Sequence, residues 1–298
     1  MTQITANRLK IEAETFGHDT GETILLIMGL GAQLTRWPLG LIDLLTKRGY
    51  RVIRFDNRDI GLSQKFHEAG PADMAAIMQA LAAGQKPVST YTLHDMAADA
   101  VGVLAAFSVQ RAHIVGASMG GMIAQLVAAN HPEHTLSLTS IMSTTGNPSL
   151  PPAKPEAMAV LMTRPPANDF EVFVKHGIKA QKTIGSPGYP TDEAELRARI
   201  VADFQRSNYI DGVGRQMAAI AACGDRRELL KRIAAPTVVV HGDADPLVPI
   251  EGGRDTAANI RGAEFRPVPG MGHDLPAALY ATVSDAIEAA AARSRAPA

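Results

Sequence analysis

The chain has 298 residues, with 29 Lys plus Arg against 30 Asp plus Glu, a net charge of −1, and 46% hydrophobic and 20% charged residues. That balance excludes wholesale disorder and leaves no basic surplus for nucleic acid or an acidic membrane surface, so neither is an expected partner. Cys223 is the only cysteine, which excludes an intrachain disulfide and a thiolate zinc cluster and points to a reducing, cytoplasmic location.

From the N-terminus, Arg8, Lys10, Glu12 and Glu14 interrupt the apolar run that a signal peptide needs, and an antiparallel strand pair is expected within Ile4 to Phe16. Short β-branched or leucine-rich runs then alternate with segments of helical period. Strands are expected at Thr23 to Met28, Arg51 to Phe55, Ala112 to Val115, Ser137 to Met142, Thr237 to His241 and Glu264 to Val268. Helices are expected at Leu39 to Arg48, Leu93 to Phe107, Gly120 to Asn130, Gly252 to Ile260 and Pro276 to Ala291. This is the pattern of an α/β fold with a mostly parallel central sheet flanked by helices.

The uncharged stretch Ala112 to Pro132 is long enough to span a bilayer, but a Gly-Ser-Gly cluster breaks it and reads as a buried strand followed by a buried helix. Two segments stand outside the alternation. Residues 146–223 hold helical patterns such as Asp169 to Gln181 and Thr191 to Phe204, with Pro clusters at their entrance and no strand. They read as a helical cap inserted before the last two strands, leaving residues 1–145 and 224–298 as the core. Residues 70–89 read as a smaller helical insertion around Ala72 to Ala83. Both insertions are expected to meet above the carboxyl edge of the sheet, where ligands bind in open α/β folds. The small-residue tail Ala289 to Ala298 is expected to fray.

At Gly116-Ala-Ser-Met-Gly120 a strand turns directly into a helix. This is a G-x-S-x-G elbow, which exposes the central Ser118 at the sheet edge as a candidate nucleophile. A serine needs a base, and of nine histidines His273 sits in a glycine-lined loop after the last strand, at the same edge as Ser118. His241, at a strand end, is its competitor. The base needs a carboxylate, and the loop after Thr237 to His241 offers Asp243 and Asp245. Asp245 is the expected partner, with Asp243 fixing the loop.

The order Ser118, Asp245, His273 is that of α/β-hydrolases, and unlike that of chymotrypsin or subtilisin. An oxyanion hole is expected from the backbone N–H of Met119 and that of Leu30 in the Met28-Gly-Leu-Gly loop, with Gly31 as the alternative to Leu30. Neither glycine loop completes a dinucleotide or phosphate-binding fingerprint. No cofactor and no metal is expected.

With these strings in place, together with Phe55-Asp-Asn-Arg-Asp-Ile-Gly-Leu-Ser63, Gly242-Asp-Ala-Asp-Pro-Leu-Val-Pro249 and Gly270-Met-Gly-His273, the chain resembles the single-domain carboxylesterases of the α/β-hydrolase fold. That group also includes the cofactor-free haloperoxidases and the aclacinomycin methylesterase type. The resemblance covers nearly the whole chain and implies a bracing role for Asp56, Arg58, Gly61 and Ser63. Met28 stands where many relatives carry His. Ser118 at the elbow sets the chain apart from epoxide hydrolases and haloalkane dehalogenases, which carry Asp there.

The expectation is a serine esterase acting on a small-molecule ester through an acyl-enzyme. The same triad also serves C–C bond hydrolysis, perhydrolysis or acyl transfer, and a receptor that has kept the fold would differ by its lack of turnover. Met74, Met78, Met158, Met162 and Phe173 are expected to line the substrate pocket.

Overall fold

A computed structural model describes residues 1–163 and 169–295. The chain opens with β1 (Thr2–Ala6) and β2 (Leu9–Phe16), a hairpin, followed by β3 (Thr23–Ile27), α1 (Leu39–Lys47) and β4 (Arg51–Phe55). Then come α2 (Met74–Ala82), α3 (Leu93–Ala106), β5 (Ala112–Ala117), α4 (Met119–Asn130) and β6 (Thr135–Ile141). Between β6 and the next strand run α5 (Pro155–Met162), α6 (Phe170–Ile184), α7 (Glu193–Arg206), α8 (Ile210–Cys223) and the short α9 (Arg227–Leu230). The chain closes with β7 (Thr237–Gly242), α10 (Glu251–Ala258), β8 (Glu264–Val268) and α11 (Tyr280–Arg295).

The eight strands form one sheet in the order β1-β2-β4-β3-β5-β6-β7-β8. β2 pairs antiparallel with β1 and β4, and every pair from β4 to β8 is parallel. Side-chain alternation along the strands feeds two cores, one on each face of the sheet. Leu25, Ile27, Ile53 and Ile114 pack with α3 and α4 on one face, and Ile24, Leu26, Val52 and Val115 pack with α1 and α11 on the other. Because β4 and β5 flank β3 on opposite sides, the crossovers from β3 and β4 diverge there. This opens a crevice at the carboxyl ends of β3 and β5, the switch point at which open α/β sheets bind ligands.

Local chemistry sets the element ends. Thr92 and Asp95 form a capping box that starts α3, the Thr92 hydroxyl oxygen accepting from the Asp95 N–H at 3.2 Å and the Asp95 carboxylate from the Thr92 N–H at 2.8 Å. Pro155, one of the prolines at the entrance to the inserted segment, sits in the first turn of α5, where its missing N–H costs nothing.

One expectation needs correction. α11 runs to Arg295, so the small-residue tail is helical as far as the described residues extend, with Ala290 and Ala291 fully buried. Small side chains there allow close helix-to-sheet approach. The smaller insertion, for its part, forms α2, which packs against α8 and buries only Ile77. No described helix is long and apolar enough to cross a membrane.

Candidate active site

The elbow after β5 is built by close backbone approach. A Cβ on Gly116 would lie 2.0 Å from the Gly120 carbonyl oxygen, and one on Gly120 would lie 2.0 Å from that of Ile27, so the turn tolerates no side chain at either position. Ser118 itself is held at φ 55 and ψ −122, a conformation that L-residues rarely occupy and that costs about 1–3 kcal/mol. Its N–H donates to the Ile141 carbonyl at 2.9 Å, and its carbonyl accepts from the Ser143 hydroxyl at 2.8 Å. The strained residue is thus pinned by β6, with its side chain directed into a cavity.

Three side chains from separate loops meet there. The Ser118 Oγ lies 2.9 Å from His273 Nε2, and His273 Nδ1 lies 2.7 Å from Asp245 Oδ2. The other Asp245 oxygen accepts from the N–H groups of Leu247 and Val248 at 2.9 and 2.8 Å. Burial of Asp245 opposes its ionisation, but His273, His241 and the Val248 N–H together outweigh burial and hold the carboxyl well below the usual carboxylate range. With Asp245 ionised, the neutral imidazole carries its proton on Nδ1 and offers Nε2 as an acceptor to the serine hydroxyl.

The competing residues fall elsewhere. His241 is fully buried and places Nε2 2.8 Å from the Val248 carbonyl, behind Asp245. Asp243 accepts from the Gly270 N–H at 2.7 Å and braces the loop that carries His273.

The loop after β3 lies against the elbow, since a Cβ on Gly29 would approach the Ser118 Cβ to 3.1 Å. The N–H groups of Leu30 and Met119 have no hydrogen-bond partner among the described residues, and both residues line the cavity beside Ser118. Gly31, the alternative to Leu30, is excluded because its N–H donates to Gln216 Oε1 at 2.9 Å. Gln216 lies on α8, and its amide also donates to the Arg58 carbonyl at 2.9 Å.

The Phe55-to-Ser63 string braces this loop. Asp56 accepts from the Leu34 and Leu62 N–H groups at 2.7 and 2.8 Å and pairs with Arg206 of α7, while Asp59 pairs with Arg215 of α8. Both inserted helices are therefore tied through ion pairs to the loop that follows β4. Gln216, and Ser186 whose hydroxyl accepts from the Gly272 N–H at 2.9 Å beside His273, were not anticipated. They come from the inserted segment, and no spacing in the sequence links them to the site.

The cavity holds about 500 Å³, enough for a drug-sized ligand. Ser118, Leu30 and His273 form its floor, and Met158, Phe173 and Val213 from the inserted helices contribute to its walls. Met74, Met78 and Met162 are not in the wall. α2 packs against α8, and Met74 and Met78 stay outside the cavity; Met78, Met162 and Met158 itself are partly exposed to solvent, so it is the cavity lining alone that separates Met158 from Met162. Among the described residues, no three His, Cys, Asp or Glu side chains gather to hold a metal.

Residues 22–276 match the alpha/beta hydrolase fold family. The rhodomycin D methylesterase of Streptomyces peucetius is 27% identical over 303 residues, covering 95% of this chain and 95% of its own. A 2-hydroxy-6-oxononadienedioate/2-hydroxy-6-oxononatrienedioate hydrolase of Paraburkholderia phymatum is 26% identical, covering 86% of this chain and 83% of its own. Among solved structures, a thermophilic esterase from Thermogutta terrifontis superposes with a TM-score of 0.73 at 22% identity, covering 99% of each chain.

Proposed function

The chain belongs to the α/β hydrolase fold family, and on that premise we propose that it is a cytoplasmic serine hydrolase that cleaves a carboxylic ester through an acyl-enzyme. The observation that carries this reading is the hydrogen-bonded series from Ser118 Oγ through His273 to Asp245, at 2.9 and 2.7 Å, on the floor of a cavity. Similarity to a methylesterase over nearly the full length of both chains supports the choice of bond.

In the mechanism, Ser118 Oγ attacks the ester carbonyl while its proton passes to His273 Nε2. Asp245, already ionised and fixed by two backbone N–H groups, stabilises the imidazolium that forms. The carbonyl oxygen gains negative charge between the N–H groups of Met119 and Leu30, which are free to donate and need no reorganisation. His273 then protonates the leaving alcohol. Water attacks the acyl-enzyme by the same route in reverse and releases the acid and Ser118.

The relative named for an oxononadienedioate keeps a second bond type in view, C–C cleavage of a diketone by the same three residues. A panel of chromogenic esters and a β-diketone, run on wild type and Ser118→Ala, separates the two readings. Ester turnover that disappears in the variant supports the esterase. Turnover of the diketone alone moves the assignment to the C–C bond, and turnover unaffected by the substitution removes Ser118 from the chemistry.

A further inference from the structure

Arginines drawn into the interior of this protein are matched by acceptors. Arg58 meets Asp99 through bonds of 2.6 and 2.7 Å, Arg206 meets Asp56 at 2.7 Å, and Arg215 meets Asp59 at 2.8 and 2.9 Å. Arg226 meets no carboxylate, but it donates to the carbonyls of Thr144 at 2.6 Å and Gly224 at 3.0 Å. At the cavity edge, Arg36 is paired with Asp203.

Arg199 on α7 departs from this pattern. It is half-buried and lines the cavity, its Nε is buried with no hydrogen-bond partner, and its only hydrogen bond among the described residues is a long one, from Nη2 to Gln181 Oε1 at 3.4 Å. Among the described residues it forms no ion pair. A guanidinium stays charged and is costly to take from water without a counter-charge, so a wall that keeps one unpaired is incomplete without an anion.

We propose that Arg199 anchors a carboxylate on the substrate, so that the preferred substrates are esters bearing a second, free carboxylate remote from the scissile bond. This rests on the hydrolase reading above. The planar fork of Arg suits a carboxylate in particular, and the otherwise apolar walls supplied by Met158, Phe173 and Val213 suit the chain that joins the two ends.

The charges around Arg199 sharpen the expectation. Burial and the Arg36 charge weigh against its protonated form, while Glu195, Asp274 and Tyr280 favour it. Asp274 shares the cavity wall, next to His273, with one carboxylate oxygen taken by the Ser186 N–H at 3.0 Å and the Ser186 hydroxyl. An incoming carboxylate meets Arg199 as an opposite charge and Asp274 as a like one. Substitutions at the two positions should therefore move selectivity in opposite directions.

The test compares kcat/KM for monomethyl adipate and dimethyl adipate in wild type, Arg199→Met, Arg199→Lys and Asp274→Asn. The half-ester to diester ratio should fall about 10- to 100-fold in Arg199→Met, the worth of one charged hydrogen-bonded contact, fall less in Arg199→Lys, and rise in Asp274→Asn. Calorimetric binding of adipate should weaken in parallel in Arg199→Met, and in wild type salt should weaken it more than it weakens binding of an uncharged diester.

A ratio unchanged within about twofold in Arg199→Met, with adipate binding also unchanged, overturns the anchor. If Arg199→Met does not fold, a wild-type ratio that is flat from low to high salt overturns it equally. Should wild type hydrolyse neither ester, the hydrolase reading fails, while the adipate measurement still decides whether Arg199 binds a carboxylate.

Discussion

The floor and the walls of the cavity are made differently. The floor consists of loops at the ends of β3, β5, β7 and β8, where backbone contacts leave no room for a side chain at Gly116 or Gly120 and where Ser118 is held against its conformational preference. The walls are side chains of helices inserted between β6 and β7, several of them flexible, such as Met158. Rigid placement suits a reaction that needs atoms within a few tenths of an ångström, and adaptable packing suits a pocket whose task is to admit one shape over another. Reaction type and substrate choice are thus separable in this molecule.

The largest break in that separation should come from the floor. Ser118→Ala should lower kcat by roughly 10³- to 10⁶-fold, because the members of such a triad act as a unit. Circular dichroism of the variant should match wild type, since the substitution leaves the backbone N–H bond to Ile141 in place. Near-wild-type ester turnover by a folded variant would remove the nucleophile from the scheme.

Next in size is the acid. Asp245→Asn should cost about 10²- to 10⁴-fold in kcat by favouring the wrong imidazole tautomer, whereas Asp243→Asn should mainly cost stability, of order 1 kcal/mol for a weakened bond to Gly270. Chemical denaturation and steady-state kinetics on both variants distinguish the two.

The pH dependence carries a sign. The folded Asp245 carboxyl lies below its unfolded value, so its contribution to stability is complete above about pH 4 and drains only as pH falls through the lower folded value. Chemical denaturation followed from neutral to acid pH checks this: stability should hold down to about pH 4 and fall only below it.

A smaller effect should appear where wall and floor touch. Gln216 on α8 takes the Gly31 N–H and so steadies the loop that presents Leu30. Gln216→Leu should lower kcat by about 10- to 100-fold with less change in KM, below the roughly 10²- to 10³-fold cost of deleting an oxyanion donor outright. An equal effect on KM alone would mean that Gln216 shapes the binding cavity.

How much of this was readable beforehand follows the same division. Arg51–Phe55 is located to the residue because a buried parallel strand is a short, largely apolar run bounded by turn residues. Ser118, Asp245 and His273 could be named because each lies in a loop directly after a strand, where position along the chain fixes position in space. Gln216, Ser186 and Arg199 lie on inserted elements, whose orientation depends on how they pack against one another. Sequence spacing there says which residues share a helix face, but nothing about which face meets Ser118. Met74 and Met78 were misplaced for the same reason. Their helix needed an apolar neighbour and found it in α8, which itself contributes Val213 to the cavity wall while the two methionines stay outside it.

That error supplies the finest test of the division. Met158 and Met162 sit four residues apart on α5, have the same chemistry, and differ in that only Met158 is in the cavity wall. Met158→Ala should therefore open the pocket by a few methylenes and shift the kcat/KM ratio between long and short esters by about 1 to 3 kcal/mol toward the longer chain. Met162→Ala, like Met78→Ala on the exposed face of α2, removes only solvent-facing surface and should leave that ratio within error. Chain-length profiles of the three variants on one ester series, at one pH, make the comparison. Equal shifts in Met158→Ala and Met162→Ala would mean that α5 moves as a body when substrate enters, so that the wall is selected by helix position and not by the side chain that faces Ser118.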